Sequence, residues 1–167
     1  MHSTIYEWCQ KVVPDRPVRV LDIGGRDVNG TTRALFAEGS TTVSVDLREG
    51  PAVDVVGDIC DVELDGLFDV AISTSVLEHA ENWREMIAAA FKWLKPGGMF
   101  IMTCAGPGWA PHSAEDGGAL REGEYYGNLS AAEVSEQMAD VGFVNADCHE
   151  SAPGTDWNDC CAVGWKP

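Results

Sequence analysis

Asp22, Gly24 and Gly25 stand together at the end of an apolar run, and two further carboxylates, Asp46 and Asp58, follow downstream. Glycine lets a ligand approach the backbone closely, and Asn29-Gly30 can take left-handed turn geometry. Asp46 lies about 20 residues past the glycines, where a carboxylate can accept both hydroxyls of a ribose. Asp58 follows Gly57, and there a carboxylate can accept from an adenine amino group while Ile59 packs on the ring. Taken singly, each aspartate reads equally well as a solvated strand end or a helix cap. In register with the glycine turn, the pair points to a nucleoside. His79 and His112 are candidates for a general base, since imidazole titrates near neutrality. Each also has a purely structural reading: His79 packing or capping at a helix start, His112 on a solvated loop.

The turn holds no GxGxxG, and no lysine or serine is placed as in a phosphate-binding loop. A pyrophosphate would find no cradle there, and Asp22 would repel it. The same carboxylate suits an amino-acid ammonium. S-adenosylmethionine, a nucleoside without phosphate, therefore fits this turn better than a dinucleotide does.

These residues need a scaffold that brings strand ends together. Residues 18–23 read as a buried strand stopped by glycine, and 31–38 as a helix ended by Gly39. Further strands are expected at 42–46, 53–56, 68–73 and 99–103. Trp83, Met86, Ile87, Ala90, Phe91 and Leu94 recur at helical spacing, with Asn82 as cap and Pro96-Gly97-Gly98 as stop. Ser130 with Glu133 forms a capping box, with Leu129 and Val134 as its hydrophobic staple, and Gly142 closes that helix. A sixth strand starts at Phe143-Val144, and 160–165 is a seventh. Alternating strands and helices predict a parallel sheet. Two closing strands with no helix between them predict an antiparallel return of the last.

The whole chain, 1–167, is expected to form a single domain, with an amino-terminal helix within 1–17 (apolar face Ile5, Trp8, Cys9 and Val12). The connection 105–129 is too long to be a simple turn. It carries Trp109, His112, Asp116, Arg121, Glu124, Tyr125 and Tyr126, which suits a substrate-side flap; a solvated loop is the other reading. A net charge of -16 with only 11 basic residues disfavours nucleic acid and anionic membranes. None of the six cysteines forms a CxxC pair. The Cys148-His149 and Cys160-Cys161 segments read as core strands rather than metal ligands, so no metal is expected. Reduced thiols, the absence of a signal-like run and the absence of 18 consecutive apolar residues suggest a cytoplasmic protein.

The order VLDIGG, VSVD, GDI, FDVAISTSVLEH, LKPGG and GF resembles class I S-adenosylmethionine-dependent methyltransferases, nearest the type 11 group, from about Val18 to Trp165. The resemblance implies an α/β, Rossmann-like three-layer sandwich. Its seven-stranded sheet would run in order 3-2-1-4-5-7-6 with strand seven antiparallel. It also implies that Asp22, Gly24 and Gly25 surround the methionine moiety, Asp46 with Leu47 the ribose, and Asp58 with Ile59 the adenine. Thr74 and Ser75 would lie near the transferred methyl group. Arg26 departs from the family's DxGxGxG turn, and the short amino terminus implies a more open substrate site. A small-molecule acceptor leads. A protein-modifying methyltransferase, a non-catalytic nucleoside-binding module and a nicotinamide oxidoreductase are the alternatives, the last weakened by the missing pyrophosphate loop.

Overall fold

Alternation between two faces organises the sheet. The computed structural model describes residues 3–28 and 30–167. Met1, His2 and the Asn29 half of the expected turn lie outside the described residues. In β1 (Arg19–Ile23), β4 (Phe68–Thr74) and β5 (Leu94–Ala105), neighbouring residues divide between two buried clusters. Val20, Val70, Ile72 and Ile101 join one; Leu21, Ala71, Phe100 and Met102 join the other, as strand periodicity requires.

The remaining elements are α1 (Ser3–Val12), β2 (Thr41–Asp46), β3 (Val55–Val56), α2 (Trp83–Trp93), α3 (Ala131–Val141), β6 (Val144–Glu150) and β7 (Asp159–Trp165). The sheet runs β3-β2-β1-β4-β5-β7-β6. Strands β1 to β5 pair in parallel, and β7 is antiparallel to both β5 and β6. The expected order and return therefore hold. Trp83, Ile87 and Ala90 of α2 join Val134 and Met138 of α3 in one cluster, while Ile5 and Cys9 of α1 join the other. The capping box at Ser130 and Glu133 forms as expected, and Gly142 ends α3 at φ +107°. Leu129 and Val134 are both buried.

Four expectations need correction. Residues 31–38 are not an α-helix but a short 3-10 helix, Thr32–Leu35, followed by extended Phe36. Thr32 Oγ1 donates to Asp22 at 2.6 Å and Arg33 reaches Asp54 at 2.7 Å. With these side chains pinned and so few residues available, no α-helical nucleus propagates. The strand at 53–56 shrinks to Val55–Val56, because the Asp54 carboxylate accepts the Ser44 N–H at 2.9 Å in place of a ladder carbonyl.

Asn82 precedes α2 but its side chain does not cap it; its Nδ2 donates to Asp58 Oδ2 at 3.1 Å instead. The helix also stops before Pro96-Gly97-Gly98, at Trp93, and that segment is already part of β5. Pro96 forces the residue before it into extended backbone. Lys166 covers this helix end: its ammonium donates to Phe91 O and Leu94 O, both at 2.9 Å.

All six cysteines are free. Cys160 and Cys161 are neighbours on β7 and face opposite clusters, so they cannot share a metal. Burial pushes the Cys9 and Cys161 thiols up to about 12, which makes them poor nucleophiles. Among the described residues, no helix is long and apolar enough to cross a membrane.

Candidate functional site

The chain leaves β1 through a turn that only glycine can make. Gly24 and Gly25 both donate to the Val45 carbonyl, at 2.8 and 3.3 Å. Gly24 has φ +74°, and a Cβ there would lie 2.4 Å from Val76 Cγ2. A Cβ on Gly25 would lie 2.8 Å from the Asp22 carboxyl carbon. Asp22 is thus packed under the turn, 2% exposed, and accepts from Thr32 Oγ1 and, at 3.5 Å, from Ser44 Oγ. Burial pushes its carboxyl up to about 6, although Thr32, Arg33 and Ser44 pull the other way.

The strand ends on either side supply the other groups. Asp46, at the end of β2, accepts the N–H of Arg48 at 3.0 Å and that of Arg26 at 3.4 Å. Asp58 accepts the N–H of Cys60 at 2.9 Å, with Ile59 buried beside it. Thr74 ends β4, and Ser75 follows at φ +55°, a conformation non-glycine residues rarely adopt and which strained sites often hold. Next comes Glu78, 1% exposed. Its Oε1 accepts the Ala105 N–H at 3.1 Å, and its Oε2 has no partner. Burial pushes the Glu78 carboxyl up to about 7, and the negative charge of Asp159 adds to this.

His79 packs edge-on against His112 and Tyr126, with ring centroids 5.0 and 5.4 Å apart. Burial, then the neighbouring His112, pushes His79 down to about 4, against the pull of Glu124. The imidazole is neutral at pH 7.

The 105–129 connection folds over this edge. Trp109, His112, Glu124 and Tyr125 reach the cavity. Asp116 and Arg121 instead pair with each other at 2.6 Å and shape the loop. Arg26, the departure from the family turn, has a job here: it pairs with Glu115 at 3.4 Å, and Arg48 pairs with the same carboxylate. Gly50 leaves room for Arg26, since a Cβ there would lie 2.8 Å from its side chain. The variant turn is thereby tied to the flap.

One cavity of about 1090 Å³ results, lined by all eleven residues singled out from the sequence: Asp22, Gly24, Gly25, Asp46, Leu47, Asp58, Ile59, Thr74, Ser75, His79 and His112. None of α1 lines it. Sequence reasoning missed Glu78, Glu115 and the role of Asn82. For Glu78 the available signal was an acid directly after the apolar pair Val76-Leu77.

A mostly parallel sheet of this order with an antiparallel seventh strand, and with a glycine turn and an acid ending its second strand on one cavity, defines the class I S-adenosylmethionine-dependent methyltransferase fold. The chain belongs to the methyltransferase domain family, whose model matches residues 2–147. A comparison with curated proteins finds no match. Among solved structures, the chain is similar to an S-adenosylmethionine-dependent methyltransferase from Mesorhizobium loti. That likeness has TM-score 0.71 at 16% identity, over 97% of this chain and 98% of that one. It is also similar to the 1,6-didemethyltoxoflavin-N1-methyltransferase of Burkholderia thailandensis, solved with bound 1,6-didemethyltoxoflavin and S-adenosylhomocysteine. There the TM-score is 0.67 at 20% identity, over 90% and 72% of the two chains. Phosphoethanolamine N-methyltransferase 2 of Haemonchus contortus, in complex with S-adenosylmethionine, gives TM-score 0.69 at 18% identity. The match covers 98% of this chain but only 52% of that one, so this chain spans about half its length.

Proposed function

We propose that the cavity binds S-adenosylmethionine and that the chain transfers its methyl group to a small-molecule acceptor. The observation that carries this reading is the single cavity running from Asp46 and Asp58 to His79 and His112. Its volume exceeds the roughly 300–1,000 Å³ of a typical one-ligand pocket, leaving room for a nucleoside and a second molecule. The lining fits this cofactor. The cradle at Gly24 and Gly25 has no space for a side chain, Asp22 lies under it, and Arg26 and Arg48 are both engaged by Glu115, which suits a sulfonium and an ammonium better than a pyrophosphate. The toxoflavin-precursor and phosphoethanolamine enzymes act on small molecules, which supports the same acceptor class.

Bound there, S-adenosylmethionine supplies an activated methyl carbon. The chain's own residues orient it: the aspartates at β2 and after β3 hold the nucleoside end, and the glycine turn and Asp22 the amino-acid end. Thr74 and Ser75 face the space between them and the flap. Trp109, Tyr125 and the Glu115 clasp exclude water from the reacting pair, and alignment with exclusion is most of what methyl displacement needs. His79 and His112 line the acceptor end.

Calorimetric titration with S-adenosylhomocysteine, using NAD for comparison, tests the reading. Micromolar binding of the first alone supports it, and binding of neither removes it. On the same assay, Asp46→Ala is expected to weaken S-adenosylhomocysteine about 10-fold or more, because charge-assisted hydrogen bonds to the ribose are lost. Asp46→Asn keeps an acceptor and is expected to fall between. Unchanged affinity in a folded Asp46→Ala would take that residue out of the site.

A further inference from the structure

We propose that Glu78, His79 and His112 form a binding site for a divalent first-row metal, zinc being the best match, at the acceptor end of the cavity. Each offers one ligand atom, and the three atoms lie within 4.8 Å of one another. Two imidazoles and a carboxylate are the donor set of three-ligand zinc sites that keep a position open. A tetrahedral site with bonds of about 2.0–2.2 Å needs its ligand atoms about 3.3–3.6 Å apart. Closing the difference takes a shift of little more than an ångström, which His112 can make because it sits on the 105–129 loop.

Two observations support a cation at this position. The Glu78 side chain is 1% exposed, yet Oε2 has no hydrogen-bond partner; a buried carboxylate oxygen is costly unless something positive or hydrogen-bonding meets it. His79 Nδ1 is likewise buried with no partner. The supporting contacts have the pattern of outer-shell orientation. Ala105 N–H fixes Glu78 Oε1, leaving Oε2 to point elsewhere. His112 Nδ1 donates to the Ala110 carbonyl at 3.1 Å, which puts the free lone pair on Nε2. Tyr126 walls the group, its ring 4.9 Å from that of His112.

The position in the fold gives the ion its use. Asp46 ends β2, and Glu78 and His79 follow β4, on opposite sides of the β1 turn. The nucleoside end and the metal group are therefore separated by the glycine cradle. An acceptor oxygen would complete the coordination, so the inference names oxygen-bearing acceptors, and in that respect it rests on the methyl-transfer reading. It also gives His79 and His112 a role other than that of a base. The sequence reading expects no metal; the three groups are an adjacent pair and a distant loop residue, a spacing no motif announces.

The test is titration of metal-stripped protein with Co²⁺, followed by visible d–d absorption, with Zn²⁺ competition by calorimetry. Cobalt reports its donors: a nitrogen and oxygen site lacks the near-ultraviolet thiolate charge-transfer band that cysteines would give. One ion per chain without that band is expected. His112→Ala and Glu78→Gln should each weaken it about 100-fold or more, while S-adenosylhomocysteine affinity stays within about threefold. His112 lies on a half-buried loop, so its variant keeps the test valid if Glu78→Gln does not fold. No cobalt spectrum, a thiolate band, or binding indifferent to His112→Ala overturns the site. S-adenosylhomocysteine titrated into the same wild-type sample reports separately on the methyl-transfer reading, so the two failures are distinguishable.

Discussion

Gly24→Ala is expected to lower the unfolding free energy by about 2–5 kcal/mol, from about 1–2 for a left-handed alanine and about 1–3 for forced overpacking. The two shares have separate origins. Gly24 holds φ +74°, and its added methyl would run into Val76 Cγ2 and Cγ1 at 2.4 and 2.7 Å. A β-branched side chain has no rotamer that removes both carbons. The melting temperature should fall by roughly 4–20 °C, taking about 2–4 °C per kcal/mol, and S-adenosylhomocysteine binding should be lost with the turn. Val76→Ala in the same chain relieves the steric share only, so a double-mutant cycle should show coupling of about 1 kcal/mol or more. A Gly24→Ala protein within about 0.5 kcal/mol of wild type would refute the close approach.

Asp22 should make stability fall as pH rises, the reverse of ordinary salt-bridged carboxylates. Its carboxyl stands at about 6 in the fold, against about 3.9 in an unfolded chain. Between about pH 4 and 6 the folded state keeps a proton that the unfolded state has lost, so the slope of unfolding free energy with pH is negative there. A shift of about 2 units amounts to about 3 kcal/mol, fully expressed above pH 6. Asp22→Asn removes the ionisation and leaves an oxygen to accept from Thr32. Urea unfolding of both proteins at pH 4 and pH 7 should therefore show the difference moving by about 3 kcal/mol in favour of the variant. A difference independent of pH would mean that the buried carboxyl titrates normally. Nearby cationic charge from a bound amino-acid ammonium would offset the same strain, which is a reason for a binding site to keep it.

Much of this was legible because strands and helices carry local signals. Short apolar runs marked β1, β4, β5 and β7, and the Ser130/Glu133 pair marked α3. The aspartates at 46 and 58 were readable because a parallel sheet delivers its strand ends to one edge. What escaped was tertiary. Thr32 and Arg33 are committed to Asp22 and Asp54, and those contacts override the helical pattern of 31–38. Asn82 has the chemistry of a cap but finds a better partner in Asp58. The hold of Arg26 and Arg48 on Glu115 joins distant segments, and nothing local records it. Glu78 was hidden by its neighbours, since an acid beside Leu77 on a strand exit carries no periodic signature.

The place of β7 has a bearing on how the molecule is made. The last strand in the chain lies between β5 and β6, so the sheet has an internal gap until residues 159–165 emerge from the ribosome. Until then β5 has one unpaired edge and β6 has no partner, and exposed strand edges invite association with other chains. The part of the sheet that lines the glycine turn, β1 to β4, can pair during synthesis, whereas β6 must wait for the strand made after it. Folding in the cell is thus divided in time, with the ligand-binding edge assembled before the sheet that supports its flap is complete.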